Sequence, residues 1–318
     1  MISWTGVAAQ ITELVLAVLL APLLTGWVNQ CRACLLNRSA PPLLQPYRVL
    51  HKLFHKDSVL AADASPLFRI APYAVFGCMA LACGIVPTLS TNLPLSPAAD
   101  AIALVGLFAL ARVFISLAAM DIGTAFGTLG ARREMLVGFL AEPALLMVFF
   151  TAALISDSTS LTTIVRTLSA RELGIQPSLA LAAVALVMVA LAENARVPVD
   201  NPATHLELTM IHEALVLEYS GRHLALIEWA SALKLFAYAC IGIALFAPWG
   251  IAAAHAPAAL LVALPALLGK LAVVGFALAL LETLSAKMRI FRVPEFLGMA
   301  FMLAVIAMLV KILLGSAP

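Results

Sequence analysis

Ionisable residues are concentrated in one segment of the chain, residues 191–221 (LAENARVPVDNPATHLELTMIHEALVLEYSG). This segment holds five carboxylates, two histidines and one arginine between two long apolar runs. Carboxylates that lie close together cannot all stay ionised, and histidine titrates at about pH 6.5, so such residues can exchange protons near neutral pH. The pattern therefore indicates proton handling, and the residues concerned are Glu193, Asp200, His205, Glu207, His212, Glu213 and Glu218.

The composition of the chain is that of a membrane protein. Hydrophobic residues make up 63% of the sequence and charged residues 11%, and the mean hydropathy is +1.05. Soluble domains average about 45–50% apolar and about 25% charged residues. The net charge is only +2 and no basic tract occurs, so we expect no nucleic-acid partner.

Eight apolar runs have about the length that a membrane-spanning helix needs, which is roughly 20 residues. They cover about residues 8–28, 69–88, 101–119, 135–155, 177–192, 230–249, 257–281 and 296–314, and the fifth run is the shortest. We therefore predict an all-α, polytopic integral membrane protein with eight transmembrane helices, a single membrane domain over residues 1–318, and a helical cytoplasmic loop between helices 5 and 6.

The basic residues predict the orientation of these helices. The loops after helices 1, 3, 5 and 7 carry 13 lysines and arginines, whereas the loops after helices 2, 4 and 6 carry only Arg166 and Arg171. Loops rich in basic residues stay in the cytoplasm. The cytoplasmic loops are thus predicted at about residues 29–68, 120–134, 193–229 and 282–295, in the cell inner membrane, with both termini outside.

Several ionisable residues fall inside the apolar runs or directly at the end of one, and a charged side chain inside the membrane costs about 2.5–3.5 kcal/mol. They are Glu13, Arg112, Glu142, Lys234, Lys270 and Glu282. For Lys234, Lys270 and Glu282 the alternative is a position near a helix end, from which the side chain reaches the interface. Glu142 lies deep in the fourth run, and the following Pro143 removes a backbone donor, which indicates a local break next to a carboxylate.

The segment after Asn201-Pro202 has the start signal of a helix. On a helical projection His205, Thr209, His212 and Glu213 lie on one side, and Glu207 and Glu218 lie on the other. Apolar residues separate these two polar stripes, which indicates protein or a wet cavity on both sides of the helix. The alternative is a surface helix whose carboxylates meet cytoplasmic water.

No motif for metal binding or covalent catalysis is present. The stretch HEALV has Val216 where a zinc protease motif requires histidine. Cys31 and Cys34 supply only half of a four-ligand site, so we interpret the five cysteines as small apolar residues. We expect no metal and no cofactor in this chain.

Three segments in order resemble one known family. They are "NRSAPPLLQPYRVLHKLFHKDSV" (37–59), "ARVFISLAAMDIGTAFGTLGARREMLVGFLAEPALL" (111–146), and "ENARVPVDNP" followed by "LEL" and "EYSG". They are similar to the membrane subunit that anchors the peripheral arm of respiratory complex I. This family also occurs in the membrane-bound group 4 nickel–iron hydrogenases, including formate hydrogenlyase, and the resemblance covers nearly the whole chain.

The resemblance is closer to the hydrogenase branch of the family. Val137, Leu140 and Ala141 stand where the quinone-reducing branch has glutamine, serine and tyrosine. The hydrogenase pattern matches Asp121-Ile-Gly-Thr-Ala-Phe, Arg133-Glu134 and Glu142-Pro143. Departures from the family occur at Ala40, Ala203 and His205, and they argue against quinone binding more than against a proton path.

The resemblance implies a subunit of a hydrogenase-4 or formate-hydrogenlyase type complex, which links a peripheral redox arm to proton translocation. Glu142 is the expected intramembrane acceptor, and the expected loop residues of the proton path are Glu193, Asp200, Glu207, Glu213, Glu218 and Tyr219, of which Tyr219 would orient a carboxylate or a water. The expected charge partners are Arg112, Asp121, Arg133, Glu134, Arg196 and Lys234. The expected docking residues on the first loop are Arg38, Arg48, Lys52 and Lys56.

The implied partners are membrane lipid, hydrogenase-like peripheral subunits and antiporter-like membrane subunits. Nickel–iron and iron–sulfur centres are expected in the peripheral subunits. Three alternatives stay open: a purely structural membrane anchor, a quinone-reactive NADH dehydrogenase subunit, and a secondary transporter. The last would show internal repeats, and neither the "ENARVPVD" segment nor the 121–142 segment recurs in the chain.

Overall fold

The structure is a computed structural model, and it describes residues 4–61, 63–91, 93–170, 176–200, 211–252, 257–286, 288 and 292–315. These residues form eleven α-helices, and the described part of the chain contains no strand beyond isolated bridges. The helices are α1 (Trp4–Leu35), α2 (Gln45–Phe54), α3 (Pro66–Ile85), α4 (Ala101–Asp121), α5 (Ala125–Ser156), α6 (Leu161–Ala170), α7 (Pro177–Glu193), α8 (His212–Val216), α9 (Gly221–Phe246), α10 (Pro257–Leu284) and α11 (Val293–Gly315). The predicted all-α class is confirmed.

Seven of the helices are long and apolar enough to cross a membrane, so the chain is a multi-pass membrane protein. They are α1, α3, α4, α5, α9, α10 and α11. The fifth predicted run forms α7, which has only 17 residues. At about 1.5 Å per residue it is about 25 Å long, against a hydrocarbon core of about 30 Å. The count of eight spanning helices therefore stays a prediction.

Helix α5 is longer than the hydropathy pattern predicts. It begins at Ala125, and the connection from α4 is only residues 122–124. The Thr124 hydroxyl accepts a hydrogen bond from the Gly127 amide and thereby caps the helix. The predicted break at Pro143 does not occur, because α5 continues through it to Ser156. Residues 125–134 are polar enough to be missed by a hydropathy window, yet they are helical.

The polar segment before α9 differs from the continuous helix that was predicted. Of that helix the structure describes α8, which ends at Val216, so Glu218 lies in a turn instead of on a helical stripe. The chain then bends at Gly221, whose φ is +52°. A side chain there would also contact the Lys56 carbonyl oxygen at 2.9 Å, so glycine is required on both grounds. His205 and Glu207 lie outside the described residues.

The seven long apolar helices and α7 alternate in direction along the chain, and their ends define two sides of the molecule. Helices α1, α4, α7 and α10 finish at the side where α3, α5, α9 and α11 begin; we call this side the basic end because the predicted basic loops connect there. Helix α5 packs against α11, α4 and α7, while α3 packs against α4 and α9. Helices α4, α5, α7 and α9 thereby surround the middle of the protein.

Two of the ionisable residues inside the helices hold connections at the opposite end. The Glu13 carboxylate accepts hydrogen bonds from the backbone amides of Thr88, at 2.5 Å, and Leu89, at 2.9 Å. The Lys270 ammonium donates to the carbonyls of Ala247, at 2.7 Å, and Trp249, just beyond the end of α9. Lys270 lies in the middle of α10 and not near its end, so its alternative interpretation does not hold; both residues stabilise connections.

Candidate functional site

The centre of the protein contains one arginine surrounded by three carboxylates. Arg112 extends from α4 onto the face of α5 that carries Glu134, Gly138 and Glu142 at intervals of four residues. A Cβ atom at position 138 would collide with the Arg112 guanidinium group. Glycine at this position therefore creates the space in which the guanidinium lies between two carboxylates of one helix.

The three guanidinium nitrogens of Arg112 each contact a different carboxylate. Nε lies 3.3 Å from Oε1 of Glu134, Nη1 contacts Oε1 of Glu142, and Nη2 contacts Oε1 of Glu193 at the end of α7. Charge-assisted bonds of this kind are the strong ones in proteins. One cation thus joins α4, α5 and α7.

Two further side chains complete this cluster, which we call the Arg112 group. Nζ of Lys234, on α9, lies 2.7 Å from the second carboxylate oxygen of Glu193. Nε2 of His212, on α8, lies 3.4 Å from the second carboxylate oxygen of Glu134. The Arg112 group therefore consists of Arg112, Glu134, Glu142, Glu193, Lys234 and His212.

Most of the Arg112 group is buried, and its two most exposed side chains are those of Glu142 and His212, the latter at 29%. The side chains of Arg112, Glu134 and Glu193 are 6%, 3% and 1% exposed. The side chain of Glu142 is 30% exposed, and it lies on the same side of α5 as the exposed residues Met135 and Phe139. Glu142 is therefore where the group reaches the outer surface of the helix bundle.

The charges of the Arg112 group do not balance without a proton. Three carboxylates face two permanent cations, so the group carries one net negative charge when His212 is neutral and all carboxylates are ionised. A buried net charge is unfavourable, and a single proton on one carboxylate or on His212 neutralises the group. The arrangement can thus hold one exchangeable proton.

A second buried ion cluster lies closer to the basic end. Glu282, near the end of α10, contacts Arg32 of α1 at 3.4 Å and Arg196 of the connection after α7 at 3.0 Å. The Glu282 side chain is 1% exposed. We call these three residues the Glu282 group. The alternative interpretation, in which Glu282 reaches the interface, does not hold, because both of its carboxylate oxygens are paired inside the protein.

One cavity of about 450 Å³ connects the two groups. Its wall includes Arg112, Glu134, Glu193, His212 and Lys234 from the first group, and Arg32 and Arg196 from the second. A neighbouring cavity of about 510 Å³ shares six of its lining residues and extends between α1 and α2. A polar, roomy space of this kind holds water, so the Arg112 group is reachable from the basic end.

The other predicted loop residues lie at different distances from this cavity. Glu213 lines it, and Asp200 is buried nearby, where its carboxylate accepts from the Ile211 amide at 3.2 Å. Glu218 is exposed in the turn after α8. Glu207 lies outside the described residues. The structure therefore brings Glu142, Glu193, Glu134, Arg112 and Lys234 together, with Glu213 facing the same space.

Tyr219 has a role other than the one predicted for it. Its hydroxyl donates to the Phe68 carbonyl at 3.0 Å, and its ring stacks on the Phe68 ring with centroids 4.0 Å apart. Burial, with a smaller contribution from the Asp121 charge, raises the pKa of the Tyr219 phenol above its usual range. Tyr219 therefore anchors the segment before α9 to α3. Its hydroxyl donates to a backbone carbonyl and not to a carboxylate of the Arg112 group.

The remaining predicted charge partners lie outside the Arg112 group. The Asp121 carboxylate accepts from the Ser65 amide at 2.8 Å, and Arg196 pairs with Glu282 instead of a carboxylate of the Arg112 group. Arg133 is half-buried on α5, one residue before Glu134 and therefore on a different face. All four predicted docking residues are exposed: Arg38, Arg48, Lys52 and Lys56.

Comparison with known proteins identifies the family. The family model described as NADH dehydrogenase matches residues 8–313. The chain belongs to this family. It is 33% identical to formate hydrogenlyase subunit 4 of Escherichia coli (strain K12), over 90% of this chain and 92% of that protein. It is 32% identical to hydrogenase-4 component C of the same organism, over 93% of each chain. The resemblance found in the sequence motifs is thereby confirmed.

A solved structure shares the fold. The chain aligns with a TM-score of 0.82 and 20% identity to a chain of the membrane-bound sulfane sulfur reductase, an archaeal respiratory membrane complex. The alignment covers 95% of this chain and 98% of that chain. The architecture described above is thus that of a subunit found in a respiratory membrane complex.

Proposed function

We propose that the chain is the membrane subunit of a complex I-like energy-converting hydrogenase, and that the Arg112 group carries its coupled protons. The observation that supports this most is the charge balance of the buried group, in which three carboxylates face two permanent cations. Such a group takes up and releases one proton as the charge around it changes. The type of complex is inferred from the relatives, which are named for formate hydrogenlyase and hydrogenase-4.

The proposed route has an entrance, a relay and an exit. Protons enter from the cytoplasm through the cavity at the basic end, which Glu213 and His212 line. Glu134 and Glu193 form the relay, since both contact Arg112. Glu142 is the exit, because it is the carboxylate of the group that reaches the outer face of α5.

The surface around Glu142 indicates what kind of neighbour covers this exit. Met135 and Phe139 are 42% and 76% exposed on the same side of α5. A charged side chain facing lipid costs about 2.5–3.5 kcal/mol, so a polar neighbour is favoured over lipid at Glu142. We infer that an antiporter-like membrane subunit covers this side of α5 and accepts the proton.

Peripheral hydrogenase-like subunits with nickel–iron and iron–sulfur centres would dock on the basic end. The exposed Arg48 and Lys52 of α2, with Arg38 and Lys56 beside it, supply a positive surface for them. The chain itself holds no cofactor in this proposal, and it lies in the cell inner membrane with both termini outside. Replacing Arg48 and Lys52 by glutamate should release the peripheral subunits during purification of the complex, and the same replacement at the exposed Arg292 should not.

The test of proton transfer measures two quantities in membrane vesicles that contain the assembled complex. Glu142→Gln should keep hydrogen turnover and lose most of the pH gradient, because the glutamine side chain keeps the shape but cannot release a proton. Glu295→Gln is the matched control, since Glu295 is exposed at the basic end. A normal pH gradient in both variants would leave the chain as a structural anchor. Inhibition of turnover by quinone analogues would instead favour the quinone-reactive alternative.

A further inference from the structure

The Arg112 group is closed on one side by two aromatic rings. Phe108 lies one helical turn before Arg112 on α4, and Tyr238 lies one turn after Lys234 on α9. The two rings stack with centroids 5.1 Å apart and an interplanar angle of 14°. Both are buried, at 2% and 4% exposure. Because α4 runs toward the basic end and α9 runs away from it, both rings lie on the side of the group that faces the opposite end.

The four helices that surround the Arg112 group carry no charged side chain beyond this aromatic pair. From the pair to the opposite end, residues 101–107 of α4, 143–156 of α5, 177–192 of α7 and 239–246 of α9 include no acidic or basic side chain. Leu104, Leu145 and Phe149 are at most 1% exposed there. Tightly packed apolar residues of this kind leave no room for water. The polar space therefore ends at the aromatic pair.

The two sides of the pair thus differ sharply. Phe108 and Ala111 line the cavity that reaches the basic end. On the other side, the apolar layer spans roughly 10 Å along α4, at about 1.5 Å for each residue from 101 to 107. Glu142 provides a sideways exit. A proton that crossed the layer directly would bypass this exit and dissipate the gradient.

We propose that the Phe108–Tyr238 pair is a seal that stops protons and water of the Arg112 group from crossing this subunit directly. Hydrophobic constrictions exclude water and ions in channels by the same physics. The proposal rests on the proposed function, since a seal matters only where the group below it exchanges protons. Phe108 and Tyr238 are positioning residues, which force the proton to leave through Glu142.

The first test measures passive proton entry into proteoliposomes of phosphatidylethanolamine and phosphatidylglycerol that contain the full chain. A potassium gradient with valinomycin drives the protons, and a trapped pH-sensitive dye records the rate. Phe108→Ala should raise the rate several-fold above wild type. Tyr238→Phe keeps the ring and should not. Phe68→Ala is the matched control, because it removes the same side chain from an equally buried position at the basic end, outside the apolar layer. Equal rates for Phe108→Ala and Phe68→Ala would overturn the proposal.

The second test needs no variant of the pair and so does not depend on whether Phe108→Ala folds. Cys34, the exposed one of the five cysteines, is first replaced by serine. A single cysteine is then introduced at Ala111, which lines the cavity, or at Leu104, one turn beyond Phe108. A charged thiol reagent should modify Ala111→Cys and leave Leu104→Cys unmodified. Modification of both at similar rates would overturn the seal.

The outcomes separate the seal from the proposed function. If Glu142→Gln abolishes the pH gradient but Phe108→Ala causes no leak, only the seal is wrong. If Phe108→Ala leaks while Glu142→Gln pumps normally, the barrier stands and the proton route through Glu142 is wrong. Because the leak is measured without hydrogen turnover, it does not depend on the partner subunits.

Discussion

The two buried ion clusters of this protein have opposite compositions. In the Arg112 group one arginine forms ion pairs with three carboxylates, whereas in the Glu282 group one carboxylate forms ion pairs with two arginines. Both line the same cavity, and the second lies nearer the basic end. Removing the shared residue of either group leaves like charges facing one another, which is unfavourable, and most strongly so where those charges are buried.

The two groups differ in the exposure of their side chains and in the number of ion-pair partners that remain when one is lost. Arg112 and two of its carboxylates are nearly inaccessible, whereas Arg32 and Arg196 are 29% and 13% exposed. Solvent therefore screens the second group better. Glu282 also keeps one arginine if the other is lost, while Glu134 and Glu142 would keep no arginine contact without Arg112. The acid-rich group should thus be fragile and proton-dependent, and the base-rich group should be robust.

The largest effect is expected for Arg112→Gln. The substitution leaves three carboxylates buried with only Lys234 as a permanent cation, and breaking a buried ion pair in this way costs about 3–5 kcal/mol. The unfolding temperature in detergent should fall markedly, and the pH gradient should be lost. Arg292→Gln, an exposed arginine at the basic end, is the control. An unchanged unfolding temperature for Arg112→Gln would show that the cluster does not stabilise the helix bundle.

Gly138→Ala should have the next largest effect. The new methyl group occupies the place of the Arg112 guanidinium, and overpacking of a filled interior costs about 1–3 kcal/mol. The displaced arginine cannot contact Glu134 and Glu142 together, so proton transport should fall with stability. Gly77→Ala is the control, because nothing lies within 4 Å of a methyl group there. Equal behaviour of the two variants would mean that α5 tolerates a side chain under Arg112.

Glu282→Gln should destabilise the protein less than Arg112→Gln. It leaves Arg32 and Arg196 without their shared carboxylate, but both are partly exposed, so we expect about 1–2 kcal/mol. The unfolding temperature measures the loss. Proton transport should survive, because no contact joins this residue to the Arg112 group among the described residues. Loss of the pH gradient with a normal unfolding temperature would instead place Glu282 on the proton route.

The sequence predicts the long apolar helices and one face of the site. Hydropathy locates the apolar runs because burial in lipid requires long apolar segments, but it misses helical residues that are polar, as at residues 125–134. The spacing of Glu134, Gly138 and Glu142 places them on one face of any helix that contains them. Glu142 and Glu193 were recognisable as candidate site residues, because a charged side chain in or beside an apolar run is unfavourable unless it has a role.

Contacts between distant helices were beyond what the sequence could reveal. Arg112 and Glu193 are 81 residues apart, and Arg32 and Glu282 are 250 apart, so their pairing depends on how the helices pack. Hydropathy also gave no reason to prefer His212 over other loop residues as the partner of Glu134. The Glu282 group was missed for this reason, although the position of Glu282 at the end of an apolar run marked it as unusual. The contact of Tyr219 with the Phe68 carbonyl could not be predicted for the same reason.

The smallest effects are expected for the single variants Arg32→Gln and Arg196→Gln. Each leaves Glu282 paired with the other arginine, so each should cost at most about 1 kcal/mol. Together they leave Glu282 buried without a described cation, and the double variant should cost more than the two singles added. Unfolding temperatures of the four proteins, wild type, two singles and the double, measure this coupling. Additive losses would show that Glu282 does not depend on its arginines. If the double variant is as unstable as Arg112→Gln, the two groups differ in stability because of the number of charge partners and not because of exposure.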